Sequence, residues 1–195
     1  IDLADQIAVE VFIQNFDTDD YAKKNKKSIQ MAARELRYDW FQDLAQNLQF
    51  DYILTAHHAD DNLETFLINF TRGTGLNGLT GIPVIKDNIV RPLLSFSRDD
   101  IEKYAKENSI IWREDSSNSS RKYLRNKLRH EVVPILKEIN PNLLYSFQNT
   151  LENLNDTADI IEESLNAVAK RAIVDINDNG ITYKISEFKK AVKRR

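Results

Sequence analysis

The stretch Asp51-Tyr52-Ile53-Leu54-Thr55-Ala56-His57-His58-Ala59-Asp60-Asp61-Asn62-Leu63-Glu64-Thr65 decides how this chain is read. Its first six residues are a short apolar run that predicts a buried strand. Beyond His57-His58 the pattern changes, and Leu63, Phe66, Leu67 and Phe70 recur at i, i+3, i+4 and i+7, the stripe of a half-buried helix. Strand running directly into helix is the unit of an α/β fold, and in open α/β sheets ligands gather where the strand ends. Two histidines and three acids crowd that junction. Asp61 and Glu64, three apart, share one helix face. A capping box with Asp61 as cap and Glu64 returning the bond accounts for one or two acids, not for the whole cluster. The spacing matches no standard metal motif, so no metal ligand is assigned.

Working outward, Ser28 is a fitting N-cap for an upstream helix whose stripe is Ile29, Ala32, Ala33, Leu36, Trp40, Leu44 and Leu48. Before it lie a charged loop, Lys23 to Lys27, and a weakly periodic start in which Ile7 to Ile13 reads as a strand. Downstream, Asn88 to Leu94 resembles a strand around Pro92, and Ser97 caps a short helix through Ile101, Tyr104 and Ala105. A polar turn (Asp115 to Ser120) leads to a basic helix from about Arg121 to Lys137, interrupted near Pro134. From Leu144 to Ala172 apolar residues step alternately by three and four, a heptad seam. Two alternating runs around Asn177-Asp178-Asn179-Gly180 then signal a hairpin. This order predicts an α/β domain over residues 1–120 and a mainly helical domain over 121–195, with a hairpin near its end.

Composition closes off other classes. The 195 residues are 42% hydrophobic and 29% charged, ordinary for a globular protein. No apolar run approaches the roughly 20 residues of a membrane span, and no signal peptide is visible. Cysteine is absent, which removes disulfides, thiolate metal sites and iron–sulfur ligation from these residues. With a net charge of -3, contact with nucleic acid must rely on local basic patches.

Three further clusters carry weight. Arg72-Gly73-Thr74-Gly75-Leu76-Asn77-Gly78-Leu79-Thr80-Gly81 permits close backbone approach to a ligand, or simply ends a helix and turns. It lacks the lysine of a Walker loop. Arg121, Arg125 and Arg129 lie four apart on one face, with no acid among residues 121–130; such a face repels itself unless phosphate neutralises it. In Arg34-Glu35-Leu36-Arg37-Tyr38, Arg37 sits beside the core stripe.

Together these stretches resemble the tRNA(Ile)-lysidine synthetases of the PP-loop ATP pyrophosphatase superfamily. The matching segments are Ala32 to Tyr38; Ala56-His57-His58 with Asp60-Asp61 and Glu64-Thr65; Arg72 to Gly75 with Gly78-Leu79 and Gly81; Arg91-Pro92-Leu93; Trp112 to Asn118; and Arg125 to Arg129 with Pro134. They run in order over about residues 20 to 140. The resemblance implies a partial Rossmann-like PP-loop ATPase domain followed by helices. It implies a ligase that adenylates C2 of the anticodon wobble cytidine of tRNA(Ile) with ATP, then lets the ε-amine of free L-lysine displace AMP. ATP, carried with Mg2+, is then a substrate, and no tightly bound cofactor is expected. The site carried over is Arg37, His57, Asp61, Glu64 and Arg129. Asp61 and Glu64 are expected to receive lysine, Arg37 and Arg129 the α-phosphate, His57 or a carboxylate a proton, and Arg121, Arg125 and Arg129 the phosphates of tRNA.

The family's S-G-G-x-D-S loop is not in this chain and is expected upstream of Ile1, so the chain alone is expected to be inactive. The start at Ile1 and the end at Arg195, inside a helix begun near Ser186, read as cuts through a longer cytoplasmic protein. The sister 2-thiocytidine synthetases carry a Cys-x-x-Cys pair near the segment aligned with Lys27 to Ala33, where this chain has no cysteine. A non-catalytic RNA-binding module would use the arginine face and the seam but has no need of the His57 to Glu64 cluster. The seam is expected to pack within the chain, because Asn149, Asn153, Asp156 and Asp159 are not clear pairing charges; a homodimer is the alternative.

Overall fold

The computed structural model describes residues 2–113, 124–177 and 180–192. In chain order the elements are α1 (Asp2–Gln6), α2 (Thr18–Lys24), α3 (Ile29–Asn47), β1 (Ile53–Leu54), α4 (Ala59–Thr71), α5 (Leu76–Leu79), β2 (Ile85–Lys86), β3 (Ile89–Val90) and α6 (Arg98–Glu107). There follow α7 (Leu124–Lys127), a π turn (Leu128–Val132), α8 (Val133–Ile139), α9 (Leu143–Ala172), β4 (Ile173–Asn177), β5 (Gly180–Tyr183) and α10 (Ile185–Val192). They form two compact units, one of residues up to 54 together with 87–90, the other of residues 55–86 and those from 91 onward. Arg121, the turn from Asp115 to Ser120 and the boundary expected near residue 120 lie outside the described residues.

In the first unit, Asp17 caps α2 and Ser28 caps α3, their side-chain oxygens accepting from the backbone N–H of Asp20 and Met31 at 2.9 and 3.3 Å. Ala32 and Ala45 are the buried residues of α3. Leu36, Trp40 and Leu44 are half-buried, whereas Ile29, Ala33 and Leu48 are exposed, so the buried face is narrower than the apolar stripe. Phe16 meets Trp40 edge-on at 6.1 Å. β1 pairs in parallel with β3, Ile53 opposite Ile89 and Leu54 opposite Val90. Gln42 and Asn88 exchange amide hydrogen bonds at 2.9 and 3.1 Å, fastening α3 to that strand pair.

Two expectations change here. The strand expected over 51–56 shortens to two residues, and Tyr52 and Leu54 are exposed rather than buried. Residues 7–13 form no strand. A strand requires a neighbour to satisfy its amides, and none among the described residues pairs with them; Ile7, Val9 and Ile13 are exposed.

The second unit is built on helices. Leu63 of α4, Val133 of α8 and Phe147 and Leu151 of α9 form its core, with Phe66, Leu67, Leu143 and Leu144 packed against them. Gly81, at φ +78°, lies where a Cβ would come within 2.6 Å of Asn62 Oδ1. That oxygen already accepts the Ile82 N–H at 2.7 Å. α9 is the expected seam helix, but only its ends are buried: Phe147, Leu151 and Ala172 are covered while Ile160, Ile161 and Leu165 are exposed. β4 and β5 form the expected antiparallel hairpin, Asn177 opposite Gly180, and α10 follows.

The interruption near Pro134 takes a definite form. Proline has no N–H to donate to the carbonyl four residues back. Just before it, Val133 N–H donates to Leu128 O, five residues back, so the helix widens by one residue rather than breaking.

Candidate active site

The chain leaves β1 at Leu54 and enters α4 at Ala59, with His58 extended at the N-cap. The His58 N–H donates to Asp61 Oδ2 at 3.1 Å. The capping box therefore sits three residues earlier than expected: Asp61 returns the bond instead of providing the cap, and Glu64 is released from capping altogether.

Glu64 is 1% exposed, and a carboxylate so buried must be paired. Its partner comes from the π turn. Arg129 donates from Nε to Glu64 Oε1 at 2.6 Å and from Nη2 to Oε2 at 2.9 Å, a two-pronged pair, and the same Nη2 reaches Asp61 Oδ1 at 3.2 Å. The bond to Glu64, against an opposing cost of burial, raises the Arg129 pKa; the Glu64 and Asp61 charges add to it. Arg125, one turn earlier, donates to Thr65 Oγ1 at 2.8 Å and lies 4.0 Å from Asp61 and 3.8 Å from Glu64. The arginine face looked unpartnered because no acid lies within its own segment. The partners of Arg125 and Arg129 instead come from α4, sixty or more residues earlier.

At the entry to α4, His57 Nδ1 lies 2.9 Å from Thr55 Oγ1. The His58 ring stands between two acids, Nε2 3.4 Å from Asp61 and Nδ1 3.7 Å from Asp60, and Nδ1 is buried without a hydrogen bond. Asp60 itself is buried. Its Oδ2 accepts the Arg98 N–H at the start of α6 and its Oδ1 accepts Lys137 Nζ from α8, both at 2.8 Å. Burial alone would raise its pKa, but the Arg98 N–H and Lys137 outweigh that and hold it below the ordinary aspartate value. Sequence reasoning missed this arrangement: Asp60 was visible as one acid of the cluster, but nothing local marks Lys137 as its partner.

Asp61, Glu64, Arg125 and Arg129 thus form one ion-paired patch in the second unit, with His57 and His58 at the entry to the same helix. Arg37 belongs to the first unit, exposed on α3, where its guanidinium lies 5.9 Å and that of Arg34 4.6 Å from the Tyr38 ring. The glycine loop is explained by helix-end geometry. Gly73 turns the chain at φ +72° just after α4, and Asn69 donates to Gly78 O at 2.9 Å, folding the loop back on that helix. A cavity of about 550 Å³ opens on another face of α4, among Asn62, Ile82, Leu94 and Phe147. Among the described residues no group of three or more His, Cys, Asp or Glu is placed to hold a metal ion. No described helix is long and apolar enough to cross a membrane.

Residues 1–136 match the family model of the PP-loop domain. The chain belongs to the PP-loop family. Its PP-loop segment and the helices beyond it are similar to proteins named tRNA(Ile)-lysidine synthase. The one from Porphyromonas gingivalis is 50% identical over 145 residues, covering 74% of this chain and 32% of that protein. The one from Thermosipho africanus is 41% identical over 164 residues, 84% of this chain and 38% of the relative. That from Chlorobaculum tepidum is 36% identical over 172 residues, 88% and 51%. The chain therefore spans about a third to a half of the length of these curated relatives. Among solved structures, a U34-tRNA thiolase from Methanococcus maripaludis with its [4Fe-4S] cluster shares the PP-loop fold at a TM-score of 0.60 and 17% identity, over 78% of this chain and 53% of the other.

Proposed function

We propose that the complete protein converts the wobble cytidine of tRNA(Ile) to lysidine, using ATP, with its Mg2+, and free L-lysine. The cytidine C2 oxygen attacks the α-phosphate and pyrophosphate leaves; the lysine ε-amine then attacks C2, AMP departs, and the amine gives up a proton. The observation that carries this reading is the convergence of Asp61 and Glu64 with Arg125 and Arg129 at the entry to α4, in a chain whose relatives bear that name.

In this reading Arg129 stabilises charge developing at the α-phosphate, since a guanidinium stays protonated and forks onto oxyanions. Glu64, expected to receive lysine, is buried with both oxygens on Arg129, so it instead aims that guanidinium and balances its charge. Asp61 offers its carboxylate to a lysine ammonium, and His57 accepts the proton the amine gives up. Arg37 joins the phosphate contacts, and Arg121 and Arg125 hold the tRNA backbone. The α9 seam, with Ile161 and Leu165 exposed, either packs within the complete protein or carries a homodimer, which a mass from light scattering decides. Cytoplasmic residence follows from the tRNA substrate.

The test is transfer of labelled lysine by the complete protein, with ATP, to isoleucine tRNA transcripts bearing cytidine or uridine at the wobble position. Label on the cytidine transcript alone is the expected result. No label on either, with folded protein that still binds the tRNA, would leave another PP-loop activity or a non-catalytic RNA-binding module.

A further inference from the structure

Two cationic side chains from one helix reach α4, and the spacing between them does not fit a regular helix. Asp60 and Glu64 stand four apart on α4, one turn. Their partners Lys137 and Arg129 stand eight apart, and the pairings run in opposite senses. At about 3.6 residues per turn, eight residues in an unbroken α-helix leave the second side chain roughly 80° round from the first. Arg129 lies within the π turn and Lys137 beyond it on α8. Val133 N–H bonds to Leu128 O, so one residue is absorbed without advancing the α-helical count. The remaining seven steps come close to two full turns of about 3.6 residues each. Arg129 and Lys137 thereby fall on one face, the face that meets α4.

We propose that Lys137, held by Asp60 across the π turn, is a positioning residue that sets the rotation of Arg129 against Glu64 and Asp61. The anchor is firm because Asp60 is buried and is itself held by the backbone N–H of Arg98. Lys137 also lies 3.7 Å from Asp99, so the same ammonium faces acids from α4 and α6. With the anchor in place, the helix cannot turn to relax the π bulge without pulling Lys137 off Asp60. That constraint keeps the two prongs of Arg129 on Glu64. The inference rests on the reading that this patch performs the lysidine chemistry, but its primary measurement does not depend on activity.

The complete protein labelled with [15N]arginine reports the Arg129 Nε–H resonance, assigned by its loss in Arg129→Lys. In Lys137→Met that resonance is expected to shift toward the position of solvent-exposed arginines, and Lys137→Arg is expected to restore it. The kcat of lysine transfer should fall about tenfold or more in Lys137→Met and recover in Lys137→Arg, as expected when a reacting group is misplaced by a fraction of an ångström. An Arg129 resonance unmoved in folded Lys137→Met, or displaced equally in Lys137→Arg, overturns the proposal. Should Lys137→Met not fold, Asp60→Asn provides the same reading by removing the charge that anchors Lys137. Wild-type protein that transfers no lysine would overturn the functional reading alone, leaving the resonance to decide the positioning role.

Discussion

Arg129 forks onto Glu64, its Nε and Nη2 donating to the two carboxylate oxygens at 2.6 and 2.9 Å, and the pair joins segments 65 residues apart in the chain. Glu64 is the more deeply buried partner. Removing one member of such a pair leaves the other charged and uncompensated, which typically costs about 3–5 kcal/mol. Arg129 retains some access to water, which places Glu64→Leu at the lower end, about 3 kcal/mol. Adding Arg129→Met should recover part of that loss, because two apolar side chains pack where two charges were balanced. Urea unfolding of the four proteins checks this. Additive losses would show that the two residues do not act as a pair.

The Asp60–Lys137 bridge predicts a pH dependence at both ends. Asp60 has a folded pKa below its unfolded value of about 3.9. Its contribution is therefore complete above the unfolded pKa and fades as pH falls through the folded one. For Lys137 burial works against the charge, but the bond to Asp60 and the Asp60 and Asp99 charges outweigh it and raise the pKa. That contribution is complete below the unfolded value of about 10.4 and fades as pH rises through the folded one. Asp60→Asn should therefore flatten both the acid and the alkaline limb of stability against pH. Urea midpoints measured below pH 5 and above pH 10 test it, and limbs parallel to wild type would refute the assignment.

Gly81 tests the glycine loop. Its φ of +78° disfavours any side chain, and an added Cβ would sit 2.6 Å from Asn62 Oδ1 and 3.0 Å from Leu151 Cδ1. Asn62 is buried and bonded to Ile82, so it cannot withdraw without leaving that N–H unsatisfied. Gly81→Ala is expected to cost about 1–3 kcal/mol. Gly75→Ala, with nothing near its Cβ position and no positive φ, should cost little by comparison. Equal melting temperatures for the two variants would contradict this account.

How much was legible in the sequence depended on how local each signal was. Ser28 and Ser97 announced the helices they cap, and the stripe from Leu63 to Leu67 announced the core it enters, because both signals lie within a turn or two. The crowding of His57 to Glu64 at one junction was legible for the same reason. Its internal wiring was not. Arg125 and Arg129 seemed to lack acids because their partners lie on α4, and no periodicity encodes a pairing over 65 residues. The capping box was misplaced by three residues because His58, an unusual cap, took the position that Asp61 would ordinarily hold. Apolar content overstated burial where this chain provides too few neighbours, as at Leu54 and at Ile161.

Arg125 separates binding nucleic acid from holding the fold. Its side chain is 40% exposed, and its hydrogen bond goes to the neutral hydroxyl of Thr65, with Asp61 and Glu64 at the long end of ion-pair range. Exposed pairs of this kind contribute about 0–1 kcal/mol, so Arg125→Ala should leave unfolding nearly unchanged. A phosphate contact behaves differently, since each one formed releases about 0.7–0.9 of a counterion. If Arg125 holds a tRNA phosphate, Arg125→Ala should weaken binding to cytidine and uridine transcripts alike. The slope of log K against log salt should also become shallower by about one. Filter binding of the complete protein across a salt series measures both. A slope identical to wild type would remove Arg125 from the tRNA interface and leave it as a partner of α4 alone.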